Sequence, residues 1–159
     1  MRLLLSVQVA AVRRGLPSET AIRRFARMAL EGLRRKRVAL GVRIVNAAES
    51  ATLNARYRGK RGATNVLSFP FEAPPGTKSD TLGDLVICAP VVRREARALG
   101  IAETAHWAHM VVHGIMHLRG YDHKNDREAA VMERRETRIL RALGFPNPYD
   151  TAAHRPKHE

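Results

Sequence analysis

The spacing of three histidines constrains this chain more than any other feature of its sequence. His113 and His117 are four residues apart, and His123 follows three residues after Gly120. Residues four apart lie on one face of an α-helix, so both imidazoles can reach one ion. Gly120 lets the chain leave the helix and bring back His123 as a third ligand. Three imidazoles with an open fourth position are typical of a catalytic zinc site, which the spacing predicts here.

Two further features narrow this interpretation. His109 also lies four residues before His113, but ligands at 109, 113 and 117 would span about 12 Å of straight helix. We therefore expect His109 to contact a ligand histidine or to pack beside it, and not to bind the ion itself. The HxxxHxxGxxH spacing is shared with metzincin proteases, whose glutamate after the first histidine is the general base. Gly114 stands at that position and cannot accept a proton, so the sequence argues against peptide hydrolysis.

Hydrophobic periodicity predicts one α+β domain, a layer of about four strands in a mixed sheet packed with about five helices. The predicted strands are Leu3–Ala10, Val38–Val45, Val66–Phe71 and Leu82–Cys88. The predicted helices begin at Ser18, cover Ala48–Tyr57, Pro90–Leu99 and Glu103–Leu118, and run from Asn125 or Asp126 to Gly144. The metal site then lies on a helix of the C-terminal half and the turn after it. We expect residues 1–145 to form a single catalytic domain and residues 146–159 to form a loose polar tail.

The charge of the chain indicates a polyanionic partner. Lys and Arg number 28 against 15 Asp and Glu, a net charge of +13, and 23 of the 28 are arginines. Arginine pairs with phosphate in a bidentate manner, so nucleic acid is the simplest partner. A solvated surface in an arginine-biased composition is the alternative, but clustering, as in Arg34, Arg35, Lys36 and Arg37, favours a partner. Aromatic residues are only 5% of the chain, which favours phosphate contacts over base stacking.

Composition also excludes several classes of protein. Cys88 is the only cysteine, which rules out a disulfide scaffold and a four-cysteine zinc site. No run of about 18 apolar residues exists, so no transmembrane helix is expected. The apolar N-terminal segment is short and is followed by Arg13 and Arg14 without a small-residue cleavage site, so no secretory signal is expected. We therefore expect a cytoplasmic protein that does not associate with a membrane.

The histidine run, HGIMHLRGYDH over residues 113–123, resembles the signature of the YbeY family of bacterial endoribonucleases, also called rRNA maturation factors. Tyr57-Arg58-Gly59-Lys60, followed by TNVLSFP over residues 64–70, resembles a family tract ending in TDVLSFP. LGDLVI over residues 82–87 resembles the family's LGDIVI strand. The order and spacing of the three segments fit over roughly residues 41–144. One departure is Asn65, where the family usually has aspartate.

The resemblance implies a single zinc ion per chain, held by His113, His117 and His123. It implies hydrolysis of an RNA phosphodiester during maturation of ribosomal RNA, at the 3′ end of the small-subunit RNA, with the ribosome or small-subunit assembly factors as partners. Arg58 is expected to bind phosphate and to stabilise transition-state charge. Other expected contributors are the substrate-binding residues Arg34, Arg35, Lys36 and Arg37 and the ligand-orienting residues Asp84, Asp122 and His109. Asp84 and Asp122 are equally suited to capping turns.

Two alternatives remain open at this point. The first is a metal-dependent hydrolase of another substrate, including a peptidase with a different base. The second is a ribosome-assembly protein that binds RNA and is stabilised by zinc. Structural zinc usually takes four protein ligands. The sequence offers no fourth ligand beside the three histidines, and Cys88 is distant along the chain.

Overall fold

A computed structural model describes residues 1–150 and shows a four-stranded mixed sheet with five helices. The elements are β1 Arg2–Ala10, α1 Glu19–Ala29, β2 Arg37–Val45, α2 Ala47–Arg58, β3 Val66–Pro70, β4 Thr81–Cys88, α3 Ala89–Leu99, α4 Glu103–Leu118 and α5 Asp126–Ala142. The strand order is β1-β2-β4-β3, with β1, β2 and β4 parallel and β3 antiparallel to β4. The predicted α+β class is confirmed, and the predicted elements differ from these mostly by a residue at their ends.

Two of the helices, α1 and α5, begin at a residue whose side chain caps them. The Ser18 hydroxyl accepts a hydrogen bond from the Ala21 amide at 3.1 Å and starts α1. For α5 the sequence left Asn125 and Asp126 open, and Asn125 is the cap because its side chain accepts from the Glu128 amide at 2.9 Å. Each cap satisfies a backbone donor that the first helical turn cannot use.

Helix α4 is the central element of the core and carries the histidine motif across one face of the sheet. It is buried over most of its length, and it lies against the sheet at Gly114. A Cβ atom at Gly114 would lie 2.7 Å from Leu85 Cδ2 and 3.3 Å from Val66 Cγ2. The helix therefore packs so closely on β4 and β3 that a side chain at position 114 would have to displace the buried side chain of Leu85.

The two faces of the sheet are covered differently. Side chains alternate along a strand, so Leu85 and Ile87 of β4 pack with α4 in the main core. Val86 and Cys88 face the other way and pack with Leu53 of α2 and Val91 of α3 in a smaller cluster. Residues of β4 two positions from Val86 therefore lie on the face of the sheet that α4 does not cover.

The expectation of a loose tail from residue 146 is wrong at Tyr149, which is buried with 8% of its surface exposed. Its hydroxyl donates a hydrogen bond to Glu136 of α5, and this polar contact holds the segment against the helix. The rest of the expected tail, residues 151–159, lies outside the described residues. The assignment of residues 1–145 as the catalytic domain stays a prediction. Within residues 1–150 no helix is long and apolar enough to cross a membrane.

Candidate metal centre

The fold brings the three histidines of the motif together. His113 and His117 lie one turn apart on α4, and the chain turns at Gly120, whose φ of +97° suits glycine. Three of their ring nitrogens, one from each histidine including His123, lie within 4.8 Å of one another. The Nε2 atoms of His113 and His117 are 3.2 Å apart. Two ligands of a tetrahedral zinc ion stand about 3.3 Å apart when each Zn–N bond is about 2.0–2.1 Å, so this donor set fits zinc.

A second group of donors lies directly behind the first. His109, His113 and Glu136 also offer atoms within 4.8 Å of one another, and this group is compatible with a metal ion as well. His113 belongs to both groups because its two ring nitrogens face in different directions. Its Nδ1 shares a short hydrogen bond with Glu136 Oε1, while its Nε2 faces His117. His109, expected to support a ligand from behind, is buried in this second group.

Glu136 was missed by the sequence analysis, although the sequence contains a signal for it. The residue is completely buried on α5, on the same face as Met132, Ile139 and Leu140. A carboxylate in an apolar stripe of helical period is rarely buried without a partner. Burial raises the pKa of Glu136, but His113 and His109 lower it by more, so the pKa lies well below its ordinary value. Glu136 is therefore an ionised acceptor for His113.

The surroundings of His117 keep this middle histidine neutral. Burial, and after it the neighbouring His113 and His123, together lower the pKa of His117 from 6.5 to about 4. Burial also lowers the pKa of His109, against the opposing effect of Glu136. A neutral imidazole has a free lone pair, which is the form that binds a metal ion.

The histidines line one side of an open cleft of about 1020 Å³. Arg58 lines the same cleft from the last turn of α2, and its side chain is exposed. Arg94 and Lys124 add two more cations, also exposed. The structure thus brings Arg58 to the cleft of the three histidines, although 55 residues separate Arg58 from His113. A cleft with cations beside metal ligands suits a phosphodiester substrate.

Asn65, the departure from the family tract, lies in the wall of this cleft. Its Nδ2 donates to Glu95 Oε1 at 3.1 Å, and its Oδ1 accepts from the Val66 amide at 2.7 Å. Glu95 is also 2.9 Å from His106 Nε2. An aspartate at position 65 would place a second carboxylate beside Glu95. The amide of Asn65 therefore supplies a donor that a carboxylate could not supply.

Asp84 does not orient a ligand histidine, and that interpretation is wrong. The side chain lies on the same face of β4 as Val86, opposite to α4, and its carboxylate lies over Gly41, its partner on β2. It lines a second cavity of about 650 Å³ together with Arg43 and Glu49. The reason is the two-residue period of a strand, since the neighbouring Leu85 already faces α4.

Asp122 lies at the cleft, whereas the basic segment of residues 34–37 lies outside it. Asp122 lines the cleft, and its Oδ1 accepts a hydrogen bond from the His123 amide at 2.8 Å, so the carboxylate caps the turn that carries His123. The four basic residues are exposed and do not line the cleft: Arg34, Arg35 and Lys36 lie on the connection into β2, and Arg37 is the first residue of that strand. Arg119, just after α4, donates to the carbonyl oxygens of Ala29 and Glu31 and so ties this end of α4 to the same connection.

Comparisons with known proteins agree with the motif. The family model described as endoribonuclease YbeY matches residues 14–144. A protein named endoribonuclease YbeY from Methylococcus capsulatus is 57% identical over 134 residues, covering 84% of this chain and 87% of its own. Its namesake from Alkalilimnicola ehrlichii is 56% identical over 144 residues, covering 89% and 87%. A third, from Stenotrophomonas maltophilia, is 50% identical over 153 residues, covering 94% of each chain.

A solved structure shows the same fold. The solution structure of TM1509 from Thermotoga maritima superimposes with a TM-score of 0.62 and 23% sequence identity, covering 88% of this chain and 89% of its own. At that identity the likeness concerns the fold. The family model and the three relatives extend over most of the sequence, including the histidine motif and the tract of Arg58. The chain therefore belongs to the endoribonuclease YbeY family.

Proposed function

We propose that this protein is a zinc-dependent endoribonuclease that hydrolyses phosphodiester bonds of unpaired RNA. The observation that carries the proposal is the convergence of His113, His117 and His123 in one cleft with Arg58. The 3.2 Å between the Nε2 atoms of His113 and His117 matches the separation of two zinc ligands. The relatives named endoribonuclease YbeY support RNA as the substrate.

Of the two donor groups, we assign the metal to His113, His117 and His123. His113 Nδ1 and Glu136 are already in direct hydrogen-bond contact, closer together than two ligands of one zinc ion stand. That contact is the arrangement expected when a carboxylate holds the second nitrogen of a ligand histidine. Glu136 then fixes the ring orientation of His113 and aims its Nε2 toward His117 and the cleft.

Each part of the cleft has a role in the proposed reaction. A bound zinc ion supplies Lewis-acid polarisation of a phosphoryl oxygen and lowers the pKa of water. Arg58 binds the phosphate through its guanidinium and stabilises the charge that grows on the phosphoryl oxygens in the transition state. Lys124 and Arg94 attract the neighbouring phosphates of the strand. An open cleft of about 1020 Å³ admits a flexible single strand more readily than a stiff duplex.

The natural substrate is proposed from the family. We assign the protein to maturation of ribosomal RNA at the 3′ end of the small-subunit RNA, in the cytoplasm and together with the ribosome or its small-subunit assembly factors. The exposed segment Arg34–Arg37 would contact RNA outside the cleft. Such a contact supplies affinity through phosphate charge and leaves the choice of cleavage point to the cleft.

Two observations weigh against the alternatives. A metzincin-type peptidase takes its general base from a glutamate directly after the first histidine, and here that position is Gly114, whose Cβ atom would lie 2.7 Å from Leu85 Cδ2. A structural zinc site needs a fourth protein ligand, whereas the group within residues 1–150 consists of His113, His117 and His123. Cys88 is buried on the other face of the sheet from α4.

The proposal is tested by cleavage of a precursor fragment that contains the 3′ end of small-subunit rRNA. The wild type should cut, a chelator should stop it, and added zinc should restore it. The His117→Ala variant should bind less zinc and lose cleavage. Equal cutting by wild type and His117→Ala would trace the activity to a contaminating nuclease and would contradict the proposal.

The role of Arg58 is tested with its neighbour as the matched control. Arg58→Ala should lose about 10²- to 10³-fold in cleavage rate while keeping its zinc content, since one charge-stabilising donor is removed. Arg56 lies on the same helical turn and is exposed, but it does not line the cleft. Arg56→Ala should therefore cut at close to the wild-type rate. A similar loss in both variants would mean that general basic charge, not the position of Arg58, supports the activity.

A further inference from the structure

The turn that follows α5 reaches back to the metal centre. Tyr149 lies five residues beyond the end of the region matched by the family model, which stops at residue 144. The Tyr149 amide donates to Asn147 Oδ1 at 2.8 Å, and the Thr137 hydroxyl of α5 is 3.3 Å from the same oxygen. These bonds fold the turn onto α5, so that the ring of Tyr149 is buried and lines the cleft.

The hydroxyl of Tyr149 completes a chain of buried hydrogen bonds that ends at a histidine of the motif. It donates to Glu136 Oε2 in a short contact, and Glu136 Oε1 is bonded to His113 Nδ1. His109 Nε2 is 3.2 Å from the Tyr149 oxygen and 3.6 Å from Glu136 Oε2. Each carboxylate oxygen of Glu136 thus has its own partner, one on the turn and one on α4.

We propose that Tyr149 is a positioning residue that sets the metal affinity of the site by holding Glu136, and through it His113, in place. A buried carboxylate must keep donors on both oxygens, because the loss of one leaves charge without compensation. Without the Tyr149 hydroxyl, the side-chain donor left beside Oε2 is His109 Nε2 at 3.6 Å, and Oε2 would regain a full hydrogen bond by closing that gap. That rotation would draw Oε1 away from His113 Nδ1 and release the ring from its orientation. The inference rests on the assignment of His113 as a ligand in the proposed function.

The test measures zinc affinity of the full chain by competition with a chromophoric chelator, with no RNA present. Tyr149→Phe keeps the buried ring and removes only the hydroxyl. It should weaken zinc binding about tenfold, the lower end of the loss seen when a hydrogen-bond partner of a metal ligand is removed. Tyr121→Phe is the matched control, because Tyr121 lines the same cleft and no hydrogen bond joins its hydroxyl to Glu136 in the structure. It should bind zinc like the wild type.

Two more readouts separate positioning from a merely structural effect. Tyr149→Phe should change the visible d–d spectrum of the cobalt-substituted protein, because the orientation of one ligand changes. Glu136→Gln should weaken zinc binding 10- to 100-fold, and adding Tyr149→Phe to it should cost little more, since both act through one hydrogen-bond chain. Zinc affinity within about twofold of wild type in Tyr149→Phe, or fully independent effects in the double variant, would overturn the proposal.

The outcome is distinguishable from failure of the proposed function. If zinc binding depends on Tyr149 as expected and the wild type does not cut RNA, the positioning role stands and the activity fails. If the wild type cuts RNA and Tyr149→Phe binds zinc normally, the activity stands and the positioning role fails.

Discussion

Replacing Gly83 with alanine tests the close packing that places α4 and its histidines on the sheet. Gly83 has a φ of +152°, where an L side chain is strained by about 1–3 kcal/mol. A Cβ atom there would also overlap the carbonyl oxygen of Phe69 and lie 2.8 Å from Leu118 Cδ2 at the end of α4. Overpacking of a close-packed core costs about 1–3 kcal/mol. Alanine restricts the unfolded chain, which offsets about 0.4–1 kcal/mol. We therefore expect Gly83→Ala to lose about 1–5.5 kcal/mol of unfolding free energy.

The assay is urea unfolding of the protein in the presence of a chelator, so that bound metal does not contribute to stability. At about 2–4 °C per kcal/mol for a domain of this size, the midpoint of thermal unfolding should fall on the order of 10 °C. Gly76→Ala is the matched control, because Gly76 also has a positive φ, +78°, but nothing lies within 4 Å of its Cβ position. Backbone strain costs it about 1–2 kcal/mol and the same effect on the unfolded chain offsets part of this, so it should lose at most about 1.5 kcal/mol. Equal losses in the two variants would refute the packing argument at Gly83.

Three other predictions follow from the site and the surface. Gly114→Glu, which restores the metzincin base, should destabilise the protein and give no peptidase activity, because Leu85 occupies the space; a well-folded variant that cleaves casein would contradict this. Replacing Arg34–Arg37 with alanine should make the slope of log RNA affinity against log salt shallower by up to about 3, because each single-strand phosphate contact contributes about 0.7 to that slope. An unchanged slope would mean that this segment does not contact RNA. The folded-state pKa of His117 lies at about 4, below its ordinary 6.5. Between these values the unfolded chain binds a proton that the folded chain does not, so the metal-free protein should lose stability as pH falls from 6.5 to 4. Urea unfolding across this range should depend less on pH in His117→Ala.

Local patterns in the sequence were sufficient for the secondary structure and for the motif histidines. Helix α4 was predicted with the same ends that the structure has, because its apolar period and the glycine after it are signals contained within the segment. The spacing of His113, His117 and His123 also predicted their convergence, since helical geometry places residues four apart on one face. The arrival of Arg58 in the same cleft depended on the resemblance to a family, because 55 residues separate it from His113.

The failures share one cause, which is that a side chain's surroundings depend on distant segments. Asp84 was expected beside a ligand, but the register of β4 turns it to the opposite face from α4. Glu136 and Tyr149 were not assigned to the site, because their partners lie 23 and 40 residues away along the chain, on α4. A loose tail was predicted from polarity alone, and a buried hydrogen bond to Glu136 holds Tyr149 instead.

The sequence by itself determined the donor set, the class of fold and the basic charge, because each is expressed within a few residues or in the composition. Only the tertiary structure decided which groups surround those donors: Glu136 behind His113, Tyr149 behind Glu136, and Leu85 against Gly114. The physical reason is that hydrogen bonds and close packing act over a few ångströms in space and are indifferent to distance along the chain.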